Sequence, residues 1–143
     1  MKKILSLVDD EKPYQDLVRF AFDEKVELQG SIDIISFSNG SDLLEYLDED
    51  NDASIILLDI NMPGLNGLDV LKAIKAKKNL MSIPVIILSA STDPHDIKTA
   101  YARGANAYVS KPMRLQNIRD FVTSLCDFWL KFAILPDQQG DKR

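Results

Sequence analysis

Acidic residues follow two apolar stretches of the chain, at the point where each stretch ends. Asp9 and Asp10 come directly after the apolar run 4–8, and Asp59 follows the run 55–58. Short apolar runs bounded by polar or turn residues are typical of strands buried on both faces of a sheet. In open α/β sheets, ligands bind at the edge where such strands end. An acid at this edge is a candidate nucleophile or metal ligand, although it could equally turn the chain or cap a helix.

Two further polar side chains stand at the ends of later apolar runs. Ser89 ends the run 84–89, and Lys111 follows the short run 107–109. Three converging carboxylates repel one another unless some take up protons or a cation lies between them, and hard oxygen ligands favour Mg²⁺ or Ca²⁺. An ammonium and a hydroxyl group opposite the cation could hold the oxygen atoms of a phosphoryl group. This combination predicts a magnesium-dependent phosphoryl-transfer site, at which a carboxylate could accept the phosphoryl group.

Segments with apolar residues at helical spacing separate the predicted strands. The strands are expected at 4–8, 32–37, 55–58, 84–89 and 107–109. Five strand-and-helix alternations predict parallel strands joined by right-handed helical connections, that is, a doubly wound α/β sheet. The last helix carries an apolar stripe that reaches Phe132. Such a stripe usually contacts the core, but this one is broad enough that its far end could cover a partner. An acidic surface turn is expected at 48–52.

The composition limits the classes of function. A chain of 143 residues with 45% hydrophobic and 27% charged residues is typical of one globular domain. Its net charge of −5 argues against duplex nucleic acid as the main partner, because phosphate binding requires a basic face. The single cysteine, Cys126, is interpreted as a buried apolar residue. The first apolar run, 4–8, ends at Asp9 and Asp10 and is too short for a signal peptide or a membrane span. We therefore expect a cytoplasmic protein without membrane contact.

Several of these residues belong to short motifs that occur in a fixed order. The motifs are Val8-Asp9-Asp10, Leu58-Asp59-Ile60-Asn61-Met62-Pro63-Gly64, Gly67, Leu88-Ser89-Ala90, Gly104-Ala105 and Tyr108-Val109-Ser110-Lys111-Pro112. Through them the chain, from Lys3 to about Leu130, resembles the receiver domain of a two-component response regulator of the chemotaxis kind. The resemblance implies a flavodoxin-like (βα)5 fold with strand order 2-1-3-4-5. It implies a receiver domain at 1–132, followed by a polar C-terminal tail at 133–143.

The resemblance assigns a role to each polar residue at the strand ends. Asp59 would accept a phosphoryl group from a phosphohistidine of a kinase. Mg²⁺ would be bound by Asp10, Asp59 and the backbone carbonyl group of Asn61, directly or through water, and Asp9 would contribute mainly through water. Lys111 would pair with the oxygen atoms of the phosphoryl group.

The resemblance also implies a conformational switch near the phosphoryl group. Ser89 would donate a hydrogen bond to a phosphoryl oxygen and move toward it, and Tyr108 could then swing inward to fill the space behind the fourth strand. A half-exposed strand aromatic without a switch role is the alternative for Tyr108. The peptide bond before Pro112 would be cis. Asn61 and Ser91 occupy positions at which the family tunes dephosphorylation.

A function and partners follow from the same resemblance. We expect a stand-alone signalling protein that catalyses only its own phosphorylation and dephosphorylation and is otherwise not an enzyme. A sensor histidine kinase or a phosphotransfer protein would supply the phosphoryl group, and a downstream protein would bind in a phosphorylation-dependent way. The segment 128–136 is similar to the tail of receivers that pair with phytochrome-type sensor kinases. A homodimer through the last helix is a further hypothesis.

Two alternatives to a phosphorylated receiver remain at this point. Phosphatases of the haloacid dehalogenase type also use a magnesium-bound aspartyl nucleophile, but theirs lies on the first strand in an acid-x-acid motif. Here Asp59-Ile60-Asn61 follows the third predicted strand, and no cap domain is evident. A receiver-like interaction module that is never phosphorylated is the other alternative, and the full set of acids with Ser89 and Lys111 argues against it.

Overall fold

The computed structural model describes residues 2–49 and 53–136 of the chain. The five strands are β1 (Lys3–Val8), β2 (Ile32–Phe37), β3 (Ile55–Leu58), β4 (Val85–Ser89) and β5 (Ala107–Ser110). The five α-helices are α1 (Lys12–Asp23), α2 (Gly40–Glu49), α3 (Gly67–Ala76), α4 (Pro94–Ala102) and α5 (Leu115–Leu125). A short 3₁₀ helix, Val26–Leu28, follows α1, and a π-helix, Cys126–Phe132, continues from α5.

All five strands are parallel and form one sheet in the order β2-β1-β3-β4-β5. The predicted fold class and strand order are therefore confirmed.

The predicted acidic turn at 48–52 and the predicted tail at 133–143 lie largely outside the described residues. The division of the chain at residue 132 stays a prediction. None of the described helices has both the length and the apolar character needed to cross a membrane.

The central strand β3 explains why its sequence is an uninterrupted apolar run. All four of its residues are buried, and they alternate between two apolar clusters. Ile56 and Leu58 pack in the cluster with α2, α3 and α4, whereas Ile55 and Leu57 pack in the cluster with α1 and α5. Burying an aliphatic side chain of this size stabilises a fold by about 1.5–3 kcal/mol. Helices thus cover both faces of the sheet, which leaves its carboxyl edge as the place where polar residues can meet.

The strand register aligns the residues at this edge. Val8 at the end of β1 pairs with Leu58 at the end of β3. The Asp59 N–H group donates to the Val8 carbonyl oxygen at 3.0 Å and so extends this ladder by one residue. The Lys111 N–H group likewise donates to the Ser89 carbonyl oxygen at 2.8 Å. The residues that follow β1, β3, β4 and β5 therefore leave the sheet at one level.

A glycine allows α3 to begin close to the end of β3. An added Cβ atom at Gly67 would overlap the Asp59 carbonyl oxygen and the Ile60 Cα atom. The Gly67 N–H group donates to the Ile60 carbonyl oxygen at 3.1 Å, and the Asn66 side chain caps the helix by accepting from N–H groups of its first turn. The loop after Asp59 is therefore held against the end of its own strand.

The last helix differs from its prediction beyond Leu125. The Ala133 N–H group donates to the Phe128 carbonyl oxygen, five residues back, at 2.7 Å, which is the hydrogen-bond pattern of a π-helix. Cys126 is buried, as predicted, but Phe128 and Phe132 are 55% and 71% exposed. Trp129 and Leu130 still pack against the core, whereas the exposed rings lie at the far end of the stripe. That this far end covers a partner stays a prediction.

Candidate functional site

Three acidic side chains meet at the carboxyl edge of the sheet. Asp9 and Asp10 follow β1, Asp59 follows β3, and one carboxylate oxygen of each lies within 4.8 Å of those of the other two. Asp9 and Asp59 are buried, whereas Asp10 is exposed. The structure thus brings together the three carboxylates that the sequence places at strand ends. Oxygen atoms on opposite sides of a Mg²⁺ ion stand about 4 Å apart, so the spacing and the donor type of this cluster fit one such ion.

Lys111 is the positive centre of the cluster. Its Nζ atom lies 2.7 Å from Asp9 Oδ2, 3.4 Å from Asp59 Oδ2 and 3.3 Å from Glu11 Oε1. The Lys111 side chain is only 3% exposed, whereas that of Glu11 is 63% exposed. A buried ammonium group shared among several carboxylates interacts strongly with them, because little water screens the charges. Lys111 is therefore already placed beside the Asp59 carboxylate, as the prediction required.

The electrostatics of the site shift two pKa values in the same direction. Burial raises the pKa of the Asp59 carboxyl group above its usual value, and the hydrogen bond from Asn61 N–H and the charge of Lys111 offset this only in part. Burial alone would lower the pKa of the Lys111 ammonium group, but the hydrogen bond and charge of Asp9, with Asp59 and Glu11, raise it instead. Lys111 is thus held protonated, and Asp59 carries a charge that its surroundings do not fully compensate.

Ser89 is held by two donors next to Asp59. The Asn61 N–H group donates to Asp59 Oδ1 at 3.0 Å, and the Asn61 side-chain amide donates to Ser89 Oγ at 3.3 Å. The Ser91 N–H group donates to the same Ser89 oxygen at 3.2 Å. A hydroxyl group has two acceptor lone pairs and one proton. Both lone pairs of Ser89 are therefore engaged, which leaves its proton to be donated.

Tyr108 contacts the same loop through its hydroxyl group. The Tyr108 hydroxyl donates to the Ser91 carbonyl oxygen at 2.8 Å, and the Tyr108 N–H group donates to the Tyr101 hydroxyl oxygen at 3.0 Å. The ring is half-buried and packs against the apolar cluster on the α2, α3 and α4 face. Tyr108 is therefore attached to the β4–α4 loop in this structure, and its switch role stays a prediction.

The predicted cis bond before Pro112 is wrong. Among residues 2–49 and 53–136 the structure has no cis peptide bond. The trans form is the one that an X–Pro bond prefers in the absence of other constraints. In this form the Pro112 carbonyl oxygen accepts a hydrogen bond from the Tyr14 hydroxyl at 2.7 Å, and the preceding Lys111 remains hydrogen-bonded to β4.

Residues at the start of α1 complete the site, and sequence reasoning did not identify them. Glu11 pairs with Lys111, and the Tyr14 ring centroid lies 4.2 Å from the same ammonium group. The buried Gln15 side chain donates to the Asp9 carbonyl oxygen at 2.6 Å. One signal was available for Glu11, since it extends the acid pair Asp9-Asp10 by a third acid. Tyr14 is buried on α1, and no pattern in the sequence indicated its contact with Lys111.

The fold and the site together define a class, a flavodoxin-like α/β domain with an acidic pocket and a buried lysine at the carboxyl edge of its sheet. Residues 5–123 match the family model described as the response regulator receiver domain. The chain belongs to this family. Receiver domains are signalling modules rather than enzymes in general, they bind Mg²⁺ at an acidic pocket, and they interact with histidine kinases or phosphotransfer proteins. A phosphatase or an unphosphorylated module is accordingly not favoured.

Individual relatives extend the match over nearly the whole chain. The chain is 32% identical to the probable methanogenesis regulatory protein FilR2 of Methanothrix harundinacea, over 89% of this chain and 83% of that protein. It is 30% identical to the response regulator Rcp1 of Synechocystis, over 94% of this chain and 93% of that protein. The solved structure of the phosphorylated cyanobacterial phytochrome response regulator RcpA superposes with a TM-score of 0.88, at 29% identity, over 96% of this chain and all of that chain. The predicted similarity to phytochrome-associated response regulators is therefore confirmed.

Proposed function

We propose that Asp59 is the phospho-acceptor of this receiver domain. The observation that supports this most strongly is the environment of its carboxylate. It is buried at the carboxyl edge of β3, lies 3.4 Å from the Lys111 ammonium group and accepts from Asn61 N–H. No other carboxylate of the cluster combines burial, a position at the end of the central strand and contact with both Lys111 and Asn61. A solved structure of RcpA is of a phosphorylated form, which is consistent with this assignment.

The proposed reaction is in-line transfer from a phosphohistidine. An Asp59 oxygen attacks phosphorus, the P–N bond to histidine breaks, and the histidine nitrogen keeps the electron pair and takes up a proton. Lys111 neutralises charge on the transferred oxygens. Ser89 donates its unused proton to one of them.

The proposed metal ligands are Asp10, Asp59 and the Asn61 carbonyl oxygen, with Asp9 acting mainly through water. Bound Mg²⁺ would neutralise charge on the transferred oxygens and relieve repulsion among the acids. Asp10 is the exposed member of the cluster, so it can reach an ion from the solvent side. Asp9 is committed to Lys111 at 2.7 Å, which favours an indirect role for it. A solved structure of Rcp1 is of a Mn²⁺-bound form, and that ion prefers the same oxygen ligands.

Intact-protein mass spectrometry after incubation with acetyl phosphate and Mg²⁺ tests the assignment. We expect a gain of one phosphoryl group in the wild-type protein and none in Asp59→Asn or without divalent ions. Asp16→Asn, which changes an exposed acid of α1 outside the site, is the matched control and should gain the group normally. An equal gain in Asp59→Asn would contradict the assignment.

The proposed donor is a sensor histidine kinase or a phosphotransfer protein, and the proposed output is a phosphorylation-dependent contact with a downstream protein. Ser89 and Tyr108 would form the switch, and Asn61 and Ser91 would tune dephosphorylation. The two residues proposed to tune dephosphorylation both contact this switch, since the Asn61 side-chain amide and the Ser91 backbone N–H group donate to Ser89 Oγ. A cytoplasmic location, where such kinases act, is part of the proposal.

A homodimer through the C-terminal helical segment is a further part of the proposal. Phe128 and Phe132 of the π-helix and Ile134 beyond it are large, exposed and close together along the chain. Exposed apolar residues that form one contiguous patch mark protein–protein contact sites, whereas singly scattered ones do not. Light scattering should report a dimer for the wild-type protein and a monomer for Phe128→Ser/Phe132→Ser. A monomer in the wild type, with and without beryllofluoride, would contradict the dimer.

A further inference from the structure

The first turn of α4 contains an acid whose contact lies outside the helix. Asp96 accepts a hydrogen bond from the Ser91 hydroxyl at 2.7 Å. Acids in the first turn of a helix commonly interact with the free N–H groups there, but Asp93 already does so by accepting from His95 N–H at 3.0 Å. The Asp96 contact instead joins α4 to the loop that follows β4. Asp96 is half-buried, so water screens this bond less than it would on an open surface.

Ser91 connects this contact with the proposed phosphorylation site. Its N–H group donates to Ser89 Oγ, its carbonyl oxygen accepts from the Tyr108 hydroxyl, and its own hydroxyl donates to Asp96. One residue therefore links the hydroxyl group beside Asp59, the aromatic side chain on β5 and the helix α4. Of these three links, only the one to Asp96 involves a charged acceptor, and hydrogen bonds to charged groups are the stronger ones.

The position of Ser91 determines the direction in which the Ser89 hydroxyl can donate its proton. With Ser91 N–H at one lone pair and the Asn61 amide at the other, the Ser89 proton is the one hydrogen-bonding position left for a phosphoryl oxygen. If the loop moved away, Ser89 could turn and its proton could bond elsewhere. Whatever fixes Ser91 therefore fixes the direction in which Ser89 donates.

We propose that Asp96 is a positioning residue for the phosphoryl group and that it acts through Ser91. It holds the β4–α4 loop in the conformation in which Ser89 is ready to donate and Tyr108 is bonded to the loop. This inference rests on the proposed phosphorylation of Asp59. Asp96 touches neither the carboxylate cluster nor the phosphoryl position, so its effect should appear in phosphoryl binding and not in metal binding.

Calorimetric titration with beryllofluoride, a phosphoryl analogue, at saturating Mg²⁺ tests the proposal. Asp96→Ala should weaken beryllofluoride binding about fivefold, the effect of one hydrogen bond of ordinary net strength. Its Mg²⁺ affinity should equal that of the wild-type protein. Asp96→Asn should recover most of the loss, because the amide oxygen still accepts from the Ser91 hydroxyl.

Asp93→Ala is the matched control, since it removes an acid of equal charge from the same helix end. It should lower the melting temperature through loss of the cap but leave beryllofluoride affinity unchanged. Ser91→Ala also removes the oxygen that accepts from Asp93 N–H at 3.3 Å. Ser91→Ala/Asp96→Ala should bind no more weakly than Ser91→Ala, because the hydroxyl that donates to Asp96 is already absent there.

Two results separate the inference from the function on which it rests. If the wild-type protein binds beryllofluoride and Asp96→Ala binds it equally well, the inference is overturned and the proposed function stands. Additive losses in the double variant would also overturn it, since Ser91 and Asp96 would then act independently. A wild-type protein that binds no beryllofluoride in the presence of Mg²⁺ would overturn both.

Discussion

The two halves of the site rely on different kinds of interaction. The acidic half consists of Asp9, Asp10, Asp59 and Lys111. The hydroxyl half consists of Ser89, Ser91 and Tyr108. In the acidic half, charged groups lie close together in a largely buried place, so each group strongly affects the others. In the hydroxyl half, neutral groups are joined by hydrogen bonds whose net contribution is about 1 kcal/mol each.

This difference assigns distinct tasks to the two halves. The acidic half holds three carboxylates and one ammonium group, so it is short of positive charge and is suited to take up a cation. The hydroxyl half has no such imbalance and is held by a few exchangeable hydrogen bonds, so it can rearrange at low cost. We therefore expect changes in the acidic half to alter stability and metal binding, and changes in the hydroxyl half to alter the response to a phosphoryl group.

Lys111→Met should have the largest effect on stability. It leaves Asp9 and Asp59 buried without their shared cation, and removing one partner of a buried ion pair typically costs about 3–5 kcal/mol. Urea denaturation without divalent ions measures the loss, and Mg²⁺ should restore part of it. Lys72→Met, at an exposed position on α3, should change the free energy of unfolding little. Equal effects of the two variants would show that the acidic half does not depend on Lys111.

Asp59→Asn should have the opposite effect on the free energy of unfolding, that is, it should raise it. The pKa of Asp59 is raised mainly by burial, so its ionised form opposes folding. Stability linked to this group is fully present below the unfolded-state pKa and is lost as the pH rises through the folded-state pKa. Without Mg²⁺ at neutral pH, the variant should therefore be more stable, by about 1 kcal/mol, the usual size of a single-substitution effect.

Thermal denaturation across a pH series checks both parts of this prediction. The advantage of Asp59→Asn should shrink as the pH falls through the raised folded-state pKa of Asp59 and should be absent below the ordinary aspartate pKa. Saturating Mg²⁺ should reverse the order at neutral pH, because the variant lacks a ligand. A variant that is less stable than the wild-type protein at neutral pH without metal would contradict the account of the acidic half.

Tyr108→Phe should have a moderate effect that is confined to the hydroxyl half. It removes the bond to the Ser91 carbonyl oxygen and keeps the packed ring, so we expect a loss of about 1 kcal/mol in unfolding free energy. Mg²⁺ affinity should stay at the wild-type value, which calorimetry can measure. A change in metal affinity as large as the change in stability would mean that the two halves are not separable.

Glu11→Gln should have the smallest effect on stability. Glu11 lies at the border of the acidic half. Its exposed carboxylate shares Lys111, and exposed ion pairs contribute at most about 1 kcal/mol. Beryllofluoride should bind a few-fold more tightly to the variant, because Lys111 is freer to leave for the phosphoryl position. The gain should fade at high salt. Asp16→Asn, a change of equal charge on α1, should show no gain, and a gain of equal size there would indicate only a general charge effect.

The sequence predicted those parts of the molecule that depend on local pattern. Apolar runs such as Ile55–Leu58 were recognisable because a strand covered on both faces admits few polar residues. Asp59 and Lys111 were found because each follows such a run. The partners of Lys111 at the start of α1 were not found. Glu11, which precedes the helix, lies 100 positions away in sequence, and the packing of α1 against the site has no local signature.

The remaining misses have similar physical causes. The π winding of Cys126–Phe132 was not predicted, because this segment carries an ordinary amphipathic pattern that fits an α-helix equally well. The expected cis bond at Pro112 came from the resemblance alone, and a proline permits either isomer. The link between Ser91 and Asp96 depends on how the loop after β4 meets α4, which composition does not specify.

Borohydride reduction after treatment with acetyl phosphate and Mg²⁺ tests the central claim most directly. The reagent converts an aspartyl phosphate to homoserine, which peptide mass spectrometry can locate. We predict homoserine at position 59 and none at positions 9 and 10. Homoserine at position 9 or 10, or at no position in a folded protein saturated with Mg²⁺, would contradict the assignment of Asp59 as the phospho-acceptor.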